Sequence, residues 1–458
     1  MVRNLTAALN SKGWFKYKMP EWSFDHVVVG GGVVGLTIAR QLLQRFPGKT
    51  TCLLERHPSA GVEISSRNSE VIHSGLYYPP NSLKSRLCLR GRQLLYDYCE
   101  KHDIPFQRTG KLVVATEPNQ LPYLEYLRSN ARSLLPPPHW TSKGEHDSVL
   151  PLELLSGDQA RELEPELSPN VIAALWSPET GIIDSHAFMQ SLQKDITANF
   201  ESPLSFQSRV VRVDPTYTGP DGVPGWVVQA VPRFSERLSE DSDTYAIFAR
   251  VLINASGLSG PLILNSLLDA RKRIPMYYAR GSYASYTGPG ISCVSHLIYP
   301  CPEASSSADK GAHAFQSLGT HLTLDLQGKV RFGPDLEWIS PPKDTSDVDF
   351  WMQYLAPDES RIQDMHEAIS RYLPGVELDG LKADYAGIRP KLVPPGGGFQ
   401  DFVLRKDYDR SFLPNFRRRS GSPMISLMGI ESPGLTASLA IAEMVVEDML
   451  VAENDHIR

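Results

Sequence analysis

Residues 24–46 read FDHVVVGGGVVGLTIARQLLQRF, and residues 49–56 continue KTTCLLER. The run VVVG is short and β-branched, as a buried strand requires, and Val34, Ile38 and Leu42 then recur at helical spacing. Between strand and helix stand Gly30, Gly32 and Gly35 in the pattern G-x-G-x-x-G. The first glycine permits a tight turn, the second lets backbone approach a pyrophosphate, and the third lets the helix lie close to the strand. The helix start adds free N–H groups and a positive dipole end. TTCLLER then supplies a second strand ending in Glu55, twenty residues past Gly35, where an acid can accept bonds from a ribose. A structural turn alone would need no such acid. The stretch is therefore read as a βαβ unit that binds a dinucleotide, with Gly30, Gly32, Gly35 and Glu55 as its contacts and Arg56 beside them.

Working outward, the 458 residues suffice for two or three domains, with 41% hydrophobic and 21% charged side chains. A net charge of −6 offers no basic field for nucleic acid. No apolar run nears the roughly 20 residues that span a bilayer, so no transmembrane segment is expected, and peripheral membrane contact stays open. Cys52, Cys88, Cys99, Cys293 and Cys301 show neither a CxxC pair nor metal spacing, so no metal is expected and a reducing compartment fits. The first 20 residues carry Arg3, Lys12, Lys16 and Lys18 and no acid. That composition suits a mitochondrial transit peptide, and equally a disordered tail. Residues 1–22 are set aside as a basic tail, with a mitochondrial location expected and a cytoplasmic one as the alternative.

Downstream, RQLLYDYCEKH (92–102) and SHAFMQSLQKDI (185–196) read as helices, and KLVVAT (111–116), RVVRV (209–213), GWVVQAV (225–231) and YAIFARVLINASG (245–257) as strands. LTLDLQGKVRFGP (322–334) alternates like a hairpin with Gln-Gly at its turn, and LTASLAIAEMVVEDML (435–450) closes the chain as a helix. LPPPHWTSKGEHDS (135–148) and CPEASSSADKG (301–311) read as loops. No second GxGxxG follows the first, and a single dinucleotide in a long chain favours flavin over nicotinamide.

The blocks NSEVIHSGLYYPPNSLKSRLCLRG (68–91), ETGIID (179–184), LINASGLSG (252–260), LGTHLTLDLQGKVRFGPD (318–335), AGIRPKL (386–392) and GIESPGLTASLAIAEMV (429–445) occur in the order found in the FAD-dependent D-amino-acid-oxidase superfamily. The chain most resembles the L-2-hydroxyglutarate dehydrogenase branch, over most of residues 24–448. The resemblance implies an α/β two-domain flavoprotein. A Rossmann-like FAD-binding domain (23–92, 184–265 and 385–458) would be interleaved with a mixed-sheet substrate domain (93–183 and 266–384). It implies FAD, held non-covalently, with Asn68 and Ser69 on the loop past the pyrophosphate and ring. Val210, Ala255 and Gly257 would lie on the adenine side, and Gly387, Pro433, Gly434, Leu435 and Thr436 near the pyrimidine end of the ring. There the last helix would aim its dipole at the flavin. The sequence departs from the branch at Ser66, Arg67 and Glu70, where glycine, histidine and glycine are usual, and at Ser282, where an acid is common.

Oxidising a 2-hydroxy acid requires a cation for the carboxylate, a base for the hydroxyl proton, and C2–H directed at flavin N5 for hydride transfer. Arg389 in AGIRPKL is the first candidate for the carboxylate, because a guanidinium matches it in bidentate fashion. Lys391 would share its face if the strand continues, and Arg280 in YYARGSYASY is the candidate for a second carboxylate or else a strand anchor. His321 is the candidate base, against the reading of a satisfied core histidine. His73 is expected beside the flavin as base or donor; in the related dimethylglycine dehydrogenases a histidine at this point carries a covalent flavin. Tyr283, with Tyr77 and Tyr78, would line the chamber.

The activity implied is oxidation of a small 2-hydroxy acid, L-2-hydroxyglutarate above all, with a quinone or other carrier as electron acceptor. An amino-acid or secondary-amine oxidase on the same fold is the alternative, and a flavin-bound module without turnover a third.

Overall fold

The structure is a computed structural model that describes residues 2–140, 148–198, 202–217, 219–232, 239–240, 242–302, 319–342, 347–412 and 421–451. The two loops expected near 140 and 305 fall largely outside these residues.

The glycine stretch folds as its pattern dictates. Trp22–Val29 forms a strand, Val33–Arg45 a helix and Thr51–Leu54 a second strand. The two strands are parallel, with Val29 beside Leu54. Tyr245–Asn254 pairs with the other edge of Trp22–Val29, also in parallel, with Asn254 beside Val29. The chain thus leaves the first strand to one side and returns on the other, which opens a crevice beyond the strand ends. Ser208–Thr216 and Gly225–Pro232 extend this sheet as antiparallel strands, and Pro423–Met428 pairs in parallel with the end of Tyr245–Asn254. The helix Val33–Arg45 buries Val33, Leu36, Ile38 and Leu42. They meet Leu95, Phe188 and Ile441 from three other helices in one core.

A second, mixed sheet is built on Tyr277–Tyr286, which runs antiparallel to Leu381–Lys391 with Ala279 opposite Arg389 and Gly281 opposite Gly387. The hairpin around Gln327-Gly328 forms as expected, pairing Leu322–Leu324 with Val330–Phe332. Gly328 takes a positive φ of 77°, and Asp325 Oδ1 accepts N–H groups from Gln327 and Lys329. Lys111–Ala115 pairs with Leu297–Pro300 and with Ala173–Ser177. Among the described residues, no helix is long and apolar enough to cross a membrane.

Three boundaries differ from the sequence expectation. Residues 2–22 are not a free tail: Leu5 bridges to Met276, Leu9 N–H donates to Leu262 O, and Leu5, Ala8 and Phe15 are buried. Apolar side chains spaced among the basic ones explain this, since each such burial contributes roughly 1.5–3 kcal/mol for a residue the size of leucine or phenylalanine. The helix expected at 92–102 starts earlier, at Leu83, and runs across residue 92; Ser82 caps it by accepting from Ser85 N–H. It stays beside the nucleotide sheet because Gly91 abuts the backbone of the last helix, where a Cβ would stand 2.3 Å from Thr436 O. That last helix, Gly434–Glu443, continues into wider π-type turns over Met444–Val451.

Candidate active site

A cavity of about 330 Å³ follows the crevice from the glycine loop to the second sheet. At its first end the approach is too close for side chains. A Cβ on Gly30, whose φ is +107°, would stand 2.5 Å from Ala255 O, and one on Gly35 would stand 1.9 Å from Gly30 O. Glu55 closes this end, its carboxylate accepting N–H groups from Gly31 at 2.6 Å and His57 at 2.7 Å. Burial pushes its carboxyl above the usual range, opposed by those two bonds. Ser65 Oγ accepts from Val33 N–H at the helix start. The cations at this end are neutralised: Arg56 pairs with Glu63 and Asp349, and Arg209 with Asp349 at 2.6 Å.

The opposite end is built differently. Tyr299 stacks on His321 with ring centroids 3.7 Å apart. His321 Nδ1 lies 3.1 Å from Gly319 O, so that nitrogen carries the proton and the lone pair is left on Nε2. Burial, then the charges of Lys111 and Arg389, push its pKa down to about 3, against the Gly319 bond. His73 is held neutral in the same way: burial, Lys111 and His321 bring it to about 3, and its Nε2 lies 3.1 Å from Ser432 Oγ. The Arg389 side chain lines the cavity, and its guanidinium makes no hydrogen bond or ion pair among the described residues. Gly281 clears space beside it, since a Cβ there would lie 3.2 Å from Arg389 Nη2, whereas its opposite number Gly387 makes room for Arg67 O, which a Cβ would meet at 2.3 Å. Tyr283 lines the same wall and stacks on Tyr385 at 4.4 Å. Burial raises its pKa to about 12, so it is a neutral donor.

The sequence model of the family described as FAD dependent oxidoreductase matches residues 25–448. The chain belongs to this family. Among FAD-dependent oxidoreductases, it is 36% identical over 441 residues to the mitochondrial L-2-hydroxyglutarate dehydrogenase of Arabidopsis thaliana, covering 93% of this chain and 83% of that one. The human protein of the same name is 26% identical, with 93% and 89% covered. The dithionite-reduced L-alpha-glycerophosphate oxidase of Mycoplasma pneumoniae with FAD bound has a TM-score of 0.69 at 20% identity, covering 93% of this chain and 94% of that one. Glycine oxidase from Geobacillus kaustophilus has a TM-score of 0.65 at 17% identity, covering 93% and 94%. At these identities the solved structures speak for the fold alone. The cavity of this FAD-dependent oxidoreductase suits its cofactor: two glycines leave no room for a Cβ against neighbouring backbone, and a buried acid stands where a ribose is expected.

The cavity gathers Gly30, Gly32, Glu55, Arg56, Asn68, Ser69, Val210, Ala255, Gly257, Gly387, Pro433, Gly434 and Leu435, together with His73, Tyr283, His321, Arg389 and Lys391. Three candidates stand elsewhere. Gly35 lies behind the loop as a packing glycine. Thr436 is fully buried, where its hydroxyl accepts from His73 N–H and donates to Val71 O. Arg280 faces away, paired with Glu337 and Asp358 and bonded to Ala356 O. Its assignment to a second carboxylate is thereby corrected. Of the departures from the family pattern, Arg67 lines the cavity, bonded through Nη1 to Ala386 O, whereas Glu70 and Ser282 do not. Glu70 adopts a left-handed φ of +55°, which accounts for the usual glycine, and its carboxylate compensates by accepting from Ser185 N–H and Oγ–H at a helix start. Ser282 N–H donates to Asp335.

Several lining or adjacent residues carried no sequence signal. Ser65 was one. Lys84 and Glu431 form an ion pair at 2.9 Å, and Lys391 joins it at 2.7 Å. Lys111 is fully buried between Tyr77 and Tyr299, 4.3 and 4.7 Å from their ring centres, with no hydrogen-bond acceptor for Nζ.

Proposed function

We propose that this enzyme oxidises the C2 hydroxyl of L-2-hydroxyglutarate to 2-oxoglutarate. The observation that carries the reading is Arg389: an arginine without an internal acid, on a cavity wall, beside a neutral histidine with an unprotonated nitrogen. The names of the relatives support the substrate.

Arg389 takes the C1 carboxylate in a two-point contact. His321 Nε2 accepts the hydroxyl proton as C2–H leaves with its electron pair. In the free enzyme His321 is a weak base, held down by burial and by Lys111 and Arg389. An anionic substrate bound on Arg389 offsets one of those charges and raises the basicity of His321 when it is needed. Tyr283 donates toward the same wall, and Lys391 adds positive charge. FAD, when bound, supplies the two-electron acceptor. Gly30, Gly32 and Glu55 would hold its ADP half, with Val210, Ala255 and Gly257 around the adenine side. Asn68, Ser69 and Gly387 would flank the ring, and the helix start at Pro433, Gly434 and Leu435 would face it with a positive dipole end. Thr436 positions His73 through its backbone N–H. The linkage to FAD is non-covalent, the reduced enzyme passes electrons to a quinone or another carrier, and the location is mitochondrial, as for the named relatives.

Anaerobic mixing of the purified holoenzyme with L-2-hydroxyglutarate should bleach the flavin and form one 2-oxoglutarate per flavin reduced. Bleaching by amino acids or secondary amines, with none by L-2-hydroxyglutarate, would replace this reading with the amine oxidase. Acid precipitation should leave the yellow colour in the supernatant.

A further inference from the structure

The charged groups on the cavity wall are not balanced alike. Arg56 and Arg209 are matched by Glu63 and Asp349. In contrast, Lys84 and Lys391 share the single carboxylate of Glu431. Its Oε1 accepts from Lys84 at 2.9 Å and from Lys391 at 2.8 Å, and Oε2 lies 2.7 Å from Lys391. All three side chains are buried and all three line the cavity. Burial alone would push the Glu431 carboxyl up, but the two ammonium groups outweigh it and hold it at about 2, so the carboxylate is ionised. The group therefore carries one excess positive charge. Buried ion triads are poor stabilisers compared with apolar residues of equal volume. An uncompensated one on a binding cavity points to an anion.

Which anion follows from the neighbours. Arg389 and Lys391 are two residues apart on one face of the strand Leu381–Lys391, about 7 Å along the backbone. That is the scale on which a five-carbon diacid separates its two charges. Arg280 is turned away and already paired, so it does not compete for the second charge. Resting on the function proposed above, we infer that the Lys84–Glu431–Lys391 triad is a second anion subsite, which binds the distal carboxylate while Arg389 holds the first. It would make the enzyme select diacids.

The test uses unreactive ligands and the FAD-loaded protein, reading binding as perturbation of the flavin spectrum. Glutarate is the diacid probe and pentanoate the monoacid of equal length. The wild type should bind glutarate at least about tenfold more tightly, and equal affinities would overturn the subsite without any variant. Lys84→Met should weaken glutarate about 30-fold and leave pentanoate within about twofold, whereas Lys84→Arg keeps the preference. Equal weakening of both acids, or of neither, refutes the inference. Should Lys84→Met fail to fold, Lys391→Met carries the same expectation, and the wild-type comparison stands alone. Failure of L-2-hydroxyglutarate to reduce the flavin would remove the reaction but leave the glutarate preference to be judged separately.

Discussion

The two ends of the cavity are built on opposite principles. At the glycine end nearly every polar group is already satisfied: Glu55 by two backbone N–H groups, and Arg56 and Arg209 by acids. At the chamber end charges stand unmatched. Arg389 is free of partners among the described residues, Lys84 and Lys391 share one acid, and Lys111 meets only aromatic faces. The first end is shaped to fit and the second is left electrostatically incomplete, so a reacting anion completes it. Preorganised, partly unsatisfied charge is what chemistry requires and what stability alone would remove.

The contrast can be broken first at the glycine end. Gly35→Ala places a methyl group against Gly30 O, backbone against which nothing can yield. Flavin content per protein should fall close to zero, and retention of full flavin with an unchanged melting temperature would show that the loop can shift. At the chamber end, Arg389→Ala should lower kcat/KM by about 3 kcal/mol, more than a hundredfold, with flavin content intact, since the substrate carboxylate loses a charged partner. Unchanged kinetics would remove Arg389 from the site. His321→Ala should lower kcat by about a hundredfold, the scale of a lost general base, and loss of flavin instead would make it a packing residue.

The last effect concerns stability rather than turnover. Burial brings Lys111 down to about 7, well under the ordinary lysine value. Between these values the unfolded chain binds more protons than the folded one, so this group makes stability rise with pH across that window. Lys111→Met removes the slope. The variant should melt higher near neutral pH, and its advantage should shrink by about 1.4 kcal/mol for each pH unit upward. Parallel melting curves would mean that Lys111 is not desolvated.

These asymmetries also explain what the sequence could disclose. The nucleotide unit is contiguous, with every contact from Gly30 to Glu55 in one strand–turn–helix–strand run, so spacing alone exposes it. The chamber is assembled from the 67–84 segment, two strands near 280 and 299, the hairpin at 322 and the strand at 389. Its membership depends on register. Arg280 and Arg389 look interchangeable in sequence, yet Ala279 is the residue opposite Arg389. Opposed residues share a face and neighbours along a strand alternate, which sends Arg280 to the other side. Lys111 heads the strand KLVVA, and only tertiary packing, with Tyr77 and Tyr299 closing over it, buries it. Glu70 is the reverse case, since its carboxylate finds a helix start 115 positions away that no local pattern announces.

The amino-terminal segment has a consequence for biosynthesis. Leu5 needs Met276 as its bridge partner, and Leu9, which lines the cavity, needs Leu262. Residues 5 and 9 therefore cannot dock until the chain has been made through residues 276 and 262, far downstream of them. The cofactor cleft gains that wall late, so a nascent chain that has not yet reached Met276 should grip flavin poorly even with its whole glycine loop already made.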